Sequence, residues 1–174
     1  MADQYLMRII PTRLILFVLA GVFAAQLFFY YPNLGDSIAT HYDELGRPNN
    51  ILPKGVFLVL EFALLVLIVG EALIIPALVE RIPPRSLNIP NRDYWLADER
   101  RESTYGFIRQ SFGALGVVLV AFFIVVNQIV LRINVTREPL PVWMLAAVVA
   151  VFGIALVVWF ARFARRFRRP AETL

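Results

Sequence analysis

The chain has 174 residues, 59% of them hydrophobic and 17% charged, with a mean hydropathy of +0.68. A soluble domain sits nearer half apolar and about a quarter charged, so this composition excludes an ordinary water-exposed core. No cysteine is present, which rules out disulfides, thiolate metal sites, iron–sulfur ligation and a cysteine nucleophile; the excess of 17 basic over 13 acidic residues sits beside apolar stretches and points to anionic lipid rather than nucleic acid.

A membrane-spanning helix needs about 20 mostly apolar residues to cross about 30 Å of hydrocarbon. Four windows meet this, at 14–29, 55–78, 112–131 and 142–161, and they predict an all-α integral membrane protein forming a single four-helix domain over 1–174. The first window follows Arg8 and Arg13, as a signal peptide would. Phe23, however, stands where a cleavage site wants a small residue, and the apolar run continues through Phe28 and Phe29 into Tyr30 and Tyr31, an interfacial anchor. It is read as a span.

Between the first two windows lies a loop rich in turn formers, with Pro32-Asn33, Gly35-Asp36 and Gly46-Arg47-Pro48-Asn49. A structured loop is expected there, with a short extended piece over 38–42. The second window carries Glu61 and Glu71, which are costly in hydrocarbon and must be neutral, paired, or turned toward protein or water. At about 100° per residue they stand about 80° apart around the helix and share a broad face. Pro76 withholds a backbone donor from Ala72 and predicts a kink.

Pro83-Pro84 ends the second helix. The charged stretch over 97–110 is expected to be helical, to lie first along the headgroups and then to run into the third span. Gly113 and Gly116 leave that span a smooth face for close helix approach, and Asn127 and Gln128 near its far end are the expected partners of Glu61. The fourth span is bracketed by Trp143 and Trp159 and continues into Arg162, Arg165, Arg166, Arg168 and Arg169 with interleaved phenylalanines, read as a headgroup anchor. Thirteen of the 17 basic residues fall on one side of this arrangement, which predicts both chain ends in the cytoplasm.

The pattern of a first helix, Tyr31-Pro32, Ala39-Thr40-His41-Tyr42, Gly46-Arg47-Pro48-Asn49 and then Lys54 resembles a bacterial membrane family. So does Ile89-Pro90-Asn91-Arg92-Asp93-Tyr94-Trp95, followed by Arg100-Arg101-Glu102. That family is the domain of unknown function 1648, found also at the amino end of SdpI-type toxin-immunity proteins; the likeness covers most of residues 14–132. The chain departs from the family where Gly35-Asp36-Ser37-Ile38 stands in place of a proline, and it lacks the further helices of SdpI-type proteins. The resemblance implies a bacterial inner-membrane domain without an established chemistry.

His41 is the single histidine, and Asp36, Asp43 and Glu44 lie near it. One histidine with carboxylates is a poor transition-metal site, so a loop-ordering hydrogen bond is the preferred role and no metal or cofactor is expected. Asn134-Val135-Thr136 matches a glycosylation acceptor that would lie close to the membrane and, in a bacterium, is ordinarily without meaning. No nucleotide loop, serine elbow, paired-histidine zinc motif or haem-attachment motif occurs. The expected function is therefore non-enzymatic: an inner-membrane module binding a protein partner, as an accessory subunit or as a sensor or immunity-type protein. The rival reading is a small ion, proton or solute transporter subunit that uses Glu61 and Glu71.

Overall fold

The computed structural model describes residues 12–43, 45–138 and 142–168; Glu44 and Arg169 lie outside them. Four long helices dominate: α1 (Thr12–Tyr30), α2 (Lys54–Arg81), α4 (Asp98–Thr136) and α5 (Val142–Arg166), with a short α3 (Arg92–Trp95) before α4. All four long helices have the length and apolarity to cross a membrane, as a multi-pass membrane protein requires. Lipid offers backbone groups no hydrogen-bond partner, so segments this apolar are stable there only when each helix satisfies its own carbonyls and amides.

The apolar windows underestimate all four helices, α4 most, because hydropathy ends where charge begins while the helical ladder does not. α4 is one helix of 39 residues, about 58 Å at 1.5 Å per residue, about twice the hydrocarbon thickness. The charged stretch expected to lie first along the headgroups is thus the opening part of the same continuous helix. α2 runs on through the buried Pro76 to Arg81.

α4 is the hub. It packs along α1 and α2 over long seams and also carries α5, whereas α1 and α2 touch each other little. Two glycines allow this. A Cβ on Gly116 would sit 2.7 Å from the Ala72 Cβ of α2, and one on Gly113 would sit 3.1 Å from a Thr12 methyl of α1. Small residues let helix backbones approach where no hydrophobic force drives them together. From that contact toward the hairpin the seams fill with Leu16, Ile68 and Val120, then with Phe23, Leu27, Phe57 and Leu131.

Between α1 and α2 the chain forms an antiparallel hairpin, β1 (Ser37–Tyr42) with β2 (Pro48–Pro53). The extended piece over 38–42 is present, and it has a partner that the Gly46-Arg47-Pro48-Asn49 turn signal did not announce, because β2 carries two prolines and little alternation. Ile38 is fully buried against Leu34, Phe57 and Leu131, which pins the hairpin onto the ends of α2 and α4. Lys54 closes the loop: its amide donates to the Asp36 carbonyl, its ammonium to the Leu34 carbonyl, and the ammonium stands 4.0 Å from the centre of the Tyr31 ring.

At the opposite end the phenylalanines of the arginine tail are structural. Phe167 is 2% exposed, packed with Trp95, Leu87, Tyr105 and Ile108. Arg166 stacks 4.0 Å from the centre of the Trp95 ring instead of reaching free into solvent, and Asn91, in the left-handed region at φ 52°, donates its side-chain amide to the Phe167 carbonyl. Arg162, Arg165 and Arg168 remain exposed and available to headgroups.

Candidate functional site

Polar side chains inside the apolar spans are few, and the fold gathers some of them around α4. Gln128 donates to the Tyr30 hydroxyl, and its carbonyl oxygen accepts from Gln26 of α1 at 2.6 Å. Gln26 also donates to the Ile124 carbonyl at 3.2 Å. Gln128 therefore serves α1 and not Glu61, the correction being one of helix phase: consecutive residues on a helix point about 100° apart, so Asn127 and Gln128 cannot both face α2. Gln26 was missed in the sequence, although a lone amide within an apolar window was the available signal.

Asn127 is 4% exposed, and among the described residues neither its side-chain oxygen nor its nitrogen has a hydrogen-bond partner. Glu61 is half-buried on the α2 stripe that includes Phe57, Ile68 and Ala72, and among the described residues no ion pair involves it. Glu71 lies apart, against Ile68, Phe112, Leu115 and Leu119. The two carboxylates thus sit in separate surroundings, with leucines and Ile68 between them.

A groove of about 1100 Å³ opens between α1, α4 and α5. Val22, Phe29, Val125, Met144 and Val148 line it, the Gln26–Gln128–Tyr30 cluster forms a polar stripe, and Arg132 and Glu138 stand at its rim, 3.6 Å apart. α5 buries none of its residues fully, since α4 alone supports most of it.

In the hairpin, His41 is exposed, with Nδ1 3.1 Å from the Thr40 hydroxyl and 3.5 Å from the Asn50 amide nitrogen. No cluster of three metal-ligating residues occurs among the described residues. Asp43 holds the turn: its carboxylate accepts the amides of Leu45 and Arg47 and pairs with the Arg47 guanidinium at 2.8 Å, while Gly46 takes a φ of 73° that favours glycine. The Arg47 amide foremost, with its guanidinium and the Leu45 amide each adding less, holds the Asp43 carboxyl below its ordinary value against desolvation, the second-largest influence. Because the folded value is depressed, its contribution to turn order is present above the ordinary carboxylate range and is lost as pH falls through the folded value. Carboxyl carbon shifts followed by NMR should show Asp43 titrating below the ordinary carboxylate range, and Arg47→Ala, which removes the guanidinium but keeps the backbone amide, should move it only part of the way back up.

Asn134, 4% exposed, completes the hairpin from α4. Its oxygen accepts the Ala39 amide at 2.8 Å, and its nitrogen donates to the Ala39 carbonyl at 2.9 Å and to the Val130 carbonyl at 2.8 Å. The side chain thus does for Ala39 what a neighbouring strand would do, and it leaves no free nitrogen for the sugar that the sequence motif suggests. Tyr42 donates to the same carbonyl at 3.3 Å; burial pushes its phenol up, opposed by Asn134 and by the Arg137 charge.

Compared with known proteins, the chain matches no family model, no curated protein and no solved structure.

Proposed function

We propose that this chain is a non-enzymatic module of a bacterial cytoplasmic membrane that receives one transmembrane helix of a partner protein in the groove between α1, α4 and α5. The observation that carries this reading is the groove itself: an apolar trough with an amide stripe, beside a helix supported mainly from one side. A bilayer-spanning helix is about 10–12 Å across and would cover α5 from its open side; the Gln26–Gln128–Tyr30 cluster offers it polar contacts of the kind that hold membrane helices together.

Both chain ends are assigned to the cytoplasm on the excess of arginine at that end, where Arg162, Arg165 and Arg168 contact anionic lipid, each contributing about 1 kcal/mol. The family likeness in the hairpin and in the stretch before α4 supports a bacterial source. An ion path through Glu61 and Glu71 has less behind it, because no chain of polar side chains connects them among the described residues.

The test is photo-crosslinking in native membranes from Val22 or Met144, on the groove, and from Leu67, on the open face of α2. One discrete membrane-protein adduct is expected from the first two positions and none from Leu67, with recovery reduced several-fold by Gln26→Leu with Gln128→Leu. Recovery of the chain as a lone monomer, without adducts, would refute the proposal.

A further inference from the structure

The unsatisfied amide of Asn127 lies in a seam whose register can be read from one contact. Gly116 of α4 meets Ala72 of α2. The helices run antiparallel, with Val120 and Ile68 clustered together toward the hairpin end, and Leu131 with Phe57 further on. Eleven residues along α4 from Gly116 is Asn127, and eleven residues back along α2 from Ala72 is Glu61. Eleven residues are within about 20° of three full turns, so both side chains keep the phase of the Gly116–Ala72 contact and reach the same height, about 16 Å from it.

We propose that Glu61 and Asn127 form a proton-binding site within the α2–α4 seam. The ligand is the proton itself, taken up by the Glu61 carboxylate from the aqueous side at the hairpin. A protonated carboxyl and a primary amide are reciprocal: the acid O–H donates to the Asn127 oxygen, and the Asn127 nitrogen donates to the acid carbonyl. Protonation therefore satisfies both orphaned atoms of Asn127 with one partner. Ionised Glu61 only accepts, which leaves the Asn127 oxygen without a donor and places a charge in hydrocarbon.

The groups packed along this stretch of the seam supply no counter-ion among the described residues. From α4 the neighbours along the seam are Phe123, Ile124 and Leu131. From α1 they are Leu27 and Phe28, the latter packed on Phe62, with Tyr31 at the helix end. On α2 itself the charged residues nearest in sequence are Lys54, held by the Leu34 carbonyl and the Tyr31 ring, and Glu71, three turns away.

Infrared spectroscopy of the full chain in vesicles at neutral pH tests the proposal. A carbonyl band from a protonated carboxylic acid is expected in the wild type, lost in Glu61→Gln and retained in Glu71→Gln. Asn127→Leu, close in volume and apolar, should shift the band to higher frequency as the hydrogen bond to the acid disappears. The proposal is overturned by the absence of such a band in the wild type, by its loss in Glu71→Gln instead, or by an unchanged frequency in Asn127→Leu.

Discussion

Replacing Gly116 by alanine should lower the stability of the bundle by about 1–3 kcal/mol, the usual cost of forcing a methyl into a filled interface. The added Cβ would lie 2.7 Å from the Ala72 Cβ and 3.3 Å from a Leu16 methyl, so α1, α2 and α4 are all displaced at once. Ala72 has no flexible side chain to swing aside, which is why a single carbon is felt here although alanine ordinarily favours a helix. Adding Ala72→Gly removes the obstructing atom and should restore most of the loss. The measurement is the unfolding midpoint in mixed micelles for the two single variants and the double variant. Strict additivity of the two changes would show that the atoms do not meet as described.

Asn134→Ala should detach the hairpin and leave the helices standing. Three hydrogen bonds are lost: the Ala39 amide loses its Asn134 acceptor, and the Ala39 carbonyl keeps the Tyr42 hydroxyl at 3.3 Å. A cost of about 2 kcal/mol is expected, less than the sum of three bonds because water can reach the strand once it lifts. If the hairpin opens as a unit, that energy corresponds to about 30-fold faster amide exchange across β1 and β2, with exchange in the seam around Val120 and Ile68 unchanged. Equal acceleration in hairpin and seam would instead mean that Asn134 supports the whole bundle. The expected asymmetry follows from placement: Asn134 lies beyond the long apolar contacts of α4 with α1 and α2, and on α4 its side chain binds only the nearby Val130 carbonyl.

The four spans were legible because hydrocarbon imposes a single rule on backbone and side chains alike. About 20 apolar residues announce a helix there whatever surrounds them. The smooth glycine face of α4 was legible for a related reason: Gly113 and Gly116 both meet neighbouring helices, and only small residues allow that approach. Arginine placement, a matter of composition alone, supplied the orientation on which the proposed topology rests.

Only the tertiary structure decided which polar residue meets which. Asn127 and Gln128 are neighbours in sequence, yet Asn127 is buried without a hydrogen-bond partner among the described residues while Gln128 joins Gln26 and Tyr30 of α1, and no local pattern records where the neighbouring helices stand. Asn134 read as part of a sugar-acceptor motif until the hairpin was seen folded onto it. Phe167 and Arg166 read as a lipid anchor until Trp95, more than seventy positions earlier, proved to cover them. Span identity is set by transfer of a segment into lipid, a property each segment carries by itself. Pairing within the bundle is set by helix phase and register between segments distant in sequence, so it appears only once they are packed.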